Sequence, residues 1–300
     1  MLAFVRGPAA MGGYGVGPVL ATVPRQRRTL SDRAIPAFAA LALSGFRRYS
    51  TYRQATLASI ATNSVFGFLR CFVLLAALAG AGTAAVRGYD AEQLATYCWA
   101  SQGLIGVILI WGWTDLADRI RTGEVVVDLI RPVHPVTAYL AADLGRAGHG
   151  MLTRLVIPVT VGVIAFDPYL PRHPATYALL PVSILLAVLV SFGCRFLVNA
   201  AGYWMLDIRG ITLAWGVLSG VASGLTFPVR FLPDWLADLL WFGTPLPSML
   251  QVPLDIAVER VPLRAQLGLL ALQAAWAVAL LAVCVVVQRR AERRLVIQGG

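Results

Sequence analysis

The sequence predicts an all-α integral membrane protein with six transmembrane helices, and three observations carry that prediction. Hydrophobic residues make up 58% of the 300-residue chain and charged residues 13%, where an ordinary soluble domain carries roughly 25% charged residues. Mean hydropathy is +0.71, so there is too little charge to cover a water-facing surface. Apolar stretches of about 20 residues, the length that crosses a bilayer, occur six times. All 25 basic residues are Arg, with no Lys, and they gather at the ends of the apolar runs. Together these exclude a disordered chain, a disulfide-rich secreted fold and a soluble Rossmann or barrel enzyme. The net charge of +10 reads as membrane topogenesis and not as a nucleic-acid footprint.

The elements follow in order. Residues 1–30, rich in Gly and Pro and carrying Arg25, Arg27 and Arg28, read as a disordered cytoplasmic tail, with no basic start and apolar run of the signal-peptide kind. Residues 31–54 place Phe38, Leu41, Leu43, Phe46, Tyr49 and Tyr52 beside Arg47, Arg48 and Arg53, the pattern of an amphipathic helix lying on the membrane surface. The membrane body, 31–290, holds spans near 55–79, 94–114, 147–166, 176–204, 210–228 and 265–287, and 291–300 form a second cytoplasmic tail. Cytoplasmic termini put 17 Arg on the inside and five on the outside, which fixes the orientation by the positive-inside rule; the plasma membrane is the expected setting. The outer connection 229–264 is too apolar for a solvated loop, and Pro233, Pro245, Pro247 and Pro253 cut it into pieces too short to span. It reads as re-entrant half-helices buried against protein.

The inner connection carries the most information. Asp115 to Glu124 form a short charged helix ending in Gly123, Val125 to Ile130 an apolar stretch, and Arg131-Pro132-Val133-His134-Pro135 a stop. Val125, Val126, Val127, Leu129 and Ile130 are too apolar to face water alone, so the element either docks on a partner or lies in the interface. This pattern resembles the coupling-helix region of type-2 ABC exporter permeases. It is most similar to the six-helix branch that includes the viologen-exporter permeases, with its R-x-G-E/D…L-x-R-P-x-x-P signature. Arg121, Gly123, Glu124, Leu129, Arg131, Pro132 and Pro135 match as they stand. A second stretch, Phe227-Pro228 followed by Phe231-Leu232-Pro233-Asp234-Trp235-Leu236, resembles that branch's F-P…F-F-P-D-W-L, with Leu232 in place of the usual Phe.

The resemblance implies a permease that dimerises with a copy or a relative, docks two separate ATPase subunits on the inner loop, and exports a hydrophobic or cationic small molecule or a lipid. Arg121, Gly123, Glu124, Leu129, Arg131 and Pro132 would couple to the ATPase; Phe231, Pro233, Asp234 and Trp235 would form an outer lid. No cofactor or metal is expected on this chain. It has no Walker A pattern and no Lys to complete one, so ATP and magnesium belong to the partner.

Within the spans, Gly216, Gly220 and Gly224 are spaced by four and share one helical stripe, with Ser219 and Ser223 on an adjoining polar stripe. Such a stripe serves packing within one subunit, a dimer interface or a pathway. Asn63, Gly67 and Arg70 share a face of span one, and Arg70 lies about 22 Å from its inner end at 1.5 Å per residue. A charge at that depth costs about 2.5–3.5 kcal/mol; it either snorkels outward to Asp90 or Glu92 or serves function. Arg154 and Arg195 are expected to snorkel inward, Asp207 and Arg209 to pair, and Asn199 to line a polar pathway or tie two helices. Cys71, Cys98, Cys194 and Cys284 contain no C-x-x-C pair and read as core residues.

Other functions fit less well. An intramembrane serine protease built on Ser223 needs a His on a later span, and His134, His149 and His173 all precede it. A prenyltransferase needs paired Asp clusters, whereas Asp115 and Asp118 stand alone. A secondary transporter wants acidic or His residues within its spans, and none sits in the middle of one; that reading and a structural membrane scaffold remain the alternatives.

Overall fold

The computed structural model describes residues 30–51, 53–82, 85–205 and 207–298; the expected N-terminal tail lies outside them. Twelve α-helices occur among the described residues, and no strand beyond an isolated bridge between Val86 and Tyr89. The amphipathic segment is a helix, α1 (Leu30–Ser50). It is followed by α2 (Arg53–Gly80) and α3 (Ala91–Ile108), the latter started by a capping box between Asp90 and Gln93. The inner element is α4 (Asp115–Thr122) and α5 (Val125–Leu129), separated by Gly123 at φ +79°.

The third expected span begins earlier than its hydropathy suggests. α6 (Pro135–Gly150) opens with Pro at its first turn, passes through a π-helical turn at Met151–Leu155, and continues as α7 (Val156–Ala165). Pro158 explains the turn: it has no N–H to give the Arg154 carbonyl, so the ladder is re-registered just before it. Then come α8 (Pro174–Ala200), α9 (Arg209–Ala222), α10 (Asp234–Gly243), α11 (Gln251–Ala257) and α12 (Leu263–Gln298). The segment 291–298, read as tail, continues α12 as helix.

Four helical stretches are long and apolar enough to cross a membrane: Thr56–Gly80, Pro135–Ala165, Pro174–Tyr203 and Leu263–Arg293. The other two expected spans form shorter helices, α3 of 18 residues and α9 of 14. α3 stops at Leu109, whose φ is +54°, and α9 stops just before Gly224 at φ +87°.

Close approach of backbones seats α1 on α6. A Cβ on Gly45 would run into the Ala142 carbonyl and one on Gly145 into the Ala42 carbonyl, so both positions require glycine. The largest core cluster joins α3, α8 and α11 through Tyr97, Leu104, Val188 and Leu254. A second, on the inner side, packs Leu116 and Val125 against Phe192 and Phe196. All four cysteines are buried and free.

Candidate functional site

Asp128 organises the inner element. Its carboxylate accepts two hydrogen bonds from Arg119, at 2.7 and 3.0 Å, and one from the Tyr139 hydroxyl at 2.7 Å. Arg131 adds an ion pair at 3.4 Å. Burial works against the Arg119 charge, but Asp128 more than offsets it and raises the guanidinium pKa. α4 and α5 are thus locked together, with Val125 buried beneath them. Val126, Val127 and Ile130 are left exposed, Ile130 by 78%. Arg121, Gly123, Glu124, Arg131 and Pro132 share that exposed surface, while Leu129 is half-buried. Glu124 lies 3.6 Å from Arg119, and Arg121 3.6 Å from Asp118.

The element hangs from the membrane body by the ragged end of α3. A helix that stops there leaves carbonyls without partners, and side chains from other helices take them up. Arg146 donates to Gly106 and Val107, Ser191 to Leu109, Trp215 to Ile110 and Asn199 to Trp113. Asn199 also accepts from the Ala117 amide in α4, which makes it an interhelical tie.

Behind this end lies a buried ionic triad. Asp143 accepts from Arg146 at 2.7 Å and from Arg195 at 2.8 Å, and the three residues are 7, 4 and 2% exposed. Arg195 therefore does not snorkel to lipid phosphates: its carboxylate partner, 52 residues earlier, is inside the fold. Asp143, assigned by the sequence to the inner connection, lies on a helix long enough to span. Both its oxygens are occupied by arginines, so it offers no free acid for ion coupling. Arg154 instead lays its aliphatic stem over Gly106 and makes no hydrogen bond or ion pair with the described residues.

Arg70 also has a different partner from the outward acids Asp90 and Glu92. Its Nε donates to the Thr226 carbonyl at 3.3 Å and Nη1 to Ser101 Oγ at 3.0 Å, while Nη2 is buried without a partner. The cation thus holds the turn that follows the short helix α9. Asn63, a turn or two away on α2, donates to the Gln102 carbonyl at 3.3 Å.

The glycine stripe is broken rather than continuous. Gly224 lies past the end of α9, and its positive φ makes the turn into the outer segment. A Cβ there would meet Gln251 and the Tyr97 hydroxyl. Gly220 touches Trp111, and Gly216 faces open space. Ser219 donates back to the Trp215 carbonyl at 2.6 Å, and the buried Ser223 Oγ has no partner. Beside Gly216, a cavity of about 1210 Å³ separates α9 from α4.

In the segment that follows α9, Gln251 is a hub that the sequence did not single out. Its Oε1 accepts from the Val229 amide and the Tyr97 hydroxyl, and its Nε2 donates to Tyr89 and Asp255. Tyr89 in turn donates to Asp255. Of the expected lid residues, Phe231 reaches this cluster and the other three lie outside it. Phe231 meets the Tyr89 ring edge-on, Asp234 pairs with Arg87 at 2.5 Å, and Pro233 and Trp235 are exposed. Glu259 ties the neighbouring loop: burial pushes its carboxyl up, but bonds from Thr176 Oγ1, the Arg172 and His173 amides and the Tyr169 hydroxyl hold its pKa at about 2.

Long apolar helices, two shortened ones whose ends are met by their neighbours, and a cross-braced element of charged residues define a multi-pass membrane protein. The family model for ABC-2 family transporter proteins matches residues 65–299, and the chain belongs to that family. It is therefore a permease subunit of an ABC transporter, a transport component rather than an enzyme. No curated protein and no solved structure matches it.

Proposed function

We propose that this chain is the six-span permease of an ATP-driven exporter in the plasma membrane, with both termini cytoplasmic. In this reading α3 and α9 complete the spans as short helices, and the α10–α11 segment re-enters the outer leaflet as a lid. The permease pairs with a copy or a relative, and two ATPase subunits, which hold ATP and magnesium, seat on α4 and α5. Closure of the ATPases pushes that element, and the push passes through Asn199 and the end of α3 into the membrane helices. The cargo is a hydrophobic or cationic small molecule or a lipid.

One observation carries the reading: the Asp128-centred brace makes α4 and α5 a rigid plate, and that plate presents Val126, Val127 and Ile130 uncovered. A rigid apolar surface on a charged loop is suited to transmit force from a partner. Purification in mild detergent from native membranes, followed by mass spectrometry, should recover a soluble ATPase bearing a Walker A motif. Recovery of the chain alone, with or without an ATP analogue, counts against the proposal. In the intact complex, Glu124→Ala and Arg131→Ala should lower substrate-stimulated ATP hydrolysis while membrane insertion is kept. Asp128→Asn should lower it more, because Asp128 holds Arg119, Arg131 and Tyr139 together.

A further inference from the structure

We propose that the cleft between α4 and α9 is a binding site for an aminophospholipid of the leaflet on the α4 side, with its acyl chains against α9 and its phosphate and amine on the rim. The exporter reading supplies only the identity of that leaflet, the inner one. The cavity, about 1210 Å³, is lined by Trp111 and Trp204 and runs along Leu213, Gly216 and Val217 of α9. Leu213 and Val217 stay largely exposed although they line it, so the cleft is open along an apolar stretch of α9. Aromatic side chains at such a mouth suit the headgroup level of a membrane.

The rim carries charges of both signs in fixed order. Asp118 and Arg121 stand on α4, and Asp207 and Arg209 stand at the start of α9. The fold holds the two carboxylates in place: Thr114 Oγ1 donates to Asp118 at 2.9 Å and the Arg209 amide to Asp207 at 2.8 Å. The two guanidiniums are exposed and only loosely paired with them, at 3.6 and 3.8 Å. They are therefore free to turn onto a phosphate, for which their fork geometry is suited. The carboxylates so released match a primary ammonium. A phosphate joined to an amine satisfies both sets at once, whereas a purely anionic headgroup leaves the carboxylates facing negative charge.

Gly216 supplies a clean perturbation. A Cβ there meets nothing within 4 Å, so Gly216→Leu places an apolar side chain in the path of the acyl chains and favours the helix. The test uses the full chain in nanodiscs containing equal phosphatidylethanolamine, phosphatidylglycerol and phosphatidylcholine, with native mass spectrometry counting retained lipid. The wild type should retain phosphatidylethanolamine preferentially. Gly216→Leu should abolish the preference with unchanged thermal stability. Asp207→Asn should weaken phosphatidylethanolamine retention by about tenfold, as loss of one charge-assisted hydrogen bond implies, and raise phosphatidylglycerol retention by removing a like charge; Arg209→Gln should weaken both. Equal retention of the three lipids, or a preference that survives Gly216→Leu, overturns the proposal. The assay needs no ATPase, so its failure leaves the co-purification result standing and is distinguishable from failure of the exporter reading.

Discussion

Asp143→Asn removes the single negative charge from the triad and leaves two buried guanidiniums facing each other. The wild-type carboxylate accepts from Arg146 at 2.7 Å and from Arg195 at 2.8 Å. Two hydrogen bonds to charged groups, at about 1.5–3 kcal/mol each, give a loss of about 3–6 kcal/mol, in line with about 3–5 kcal/mol for breaking a buried ion pair. The loss is unequal. Arg146 keeps the Gly106 and Val107 carbonyls, while Arg195 keeps only Ser191 Oγ, and its Nη1 already lacks a partner.

Adding Arg195→Gln to Asp143→Asn should therefore recover about 1–3 kcal/mol, the coupling expected of residues in one network. The assay is the apparent Tm in one detergent at one scan rate, since membrane proteins of this size often unfold irreversibly. A fall of roughly 6–15 °C is expected for Asp143→Asn, with partial recovery in the double variant. A shift within about 2 °C, or losses that simply add in the double variant, would refute the claim that Asp143 neutralises Arg195.

Three further outcomes follow from particular contacts. Arg70→Gln removes the cation from the end of α9, so hydrogen exchange at the amides of 223–229 should rise while α12 is unchanged; Arg70→Lys should restore part of the protection. Glu259 has its pKa lowered from 4.5 to about 2, so its contribution is complete above about pH 4.5 and is lost as pH falls toward 2. After allowance for solvent screening that contribution is about 1–2 kcal/mol, and Glu259→Gln should lower Tm at pH 7 and flatten the acid limb of the stability profile. Gly145→Val would drive a side chain into the Ala42 carbonyl, so α1 should lift from α6. Trypsin should then cut at Arg47 and Arg48 at least severalfold faster, with α12 still protected.

Much of the architecture could be read from the chain because hydropathy and arginine placement are properties of local segments. The inner element was legible for the same reason: Gly123 and Pro132 punctuate it, and the apolar run between them has no local partner. What escaped the sequence depends on pairs far apart. Asp143 and Arg195 are 52 residues distant, and an Ala-rich stretch carrying Asp, Arg and His reads as a solvated connection until its partner is known. Arg70 was matched to nearby acids, whereas its strongest anchors are a backbone carbonyl at Thr226 and a hydroxyl at Ser101, which hydropathy and charge patterns do not register.

The same limit explains the two shortened helices. Residues 109–114 and 223–228 are apolar enough to extend a span, and a count of apolar residues includes them. Helix α3 ends early because the carbonyls at and beyond its end are taken by Arg146, Ser191, Trp215 and Asn199. Helix α9 ends early because the amides of Ser223, Thr226 and Gly224 fold back onto the carbonyls of Ser219, Gly220 and Val221, with Arg70 holding the Thr226 carbonyl of that turn. Unsatisfied, each such group would cost several kcal/mol in hydrocarbon, and the helix would have to continue. Asn199 is one such pairing: it donates to the Trp113 carbonyl and accepts from the Ala117 amide of α4, so a side chain that lets α3 end early is also the one that holds α4.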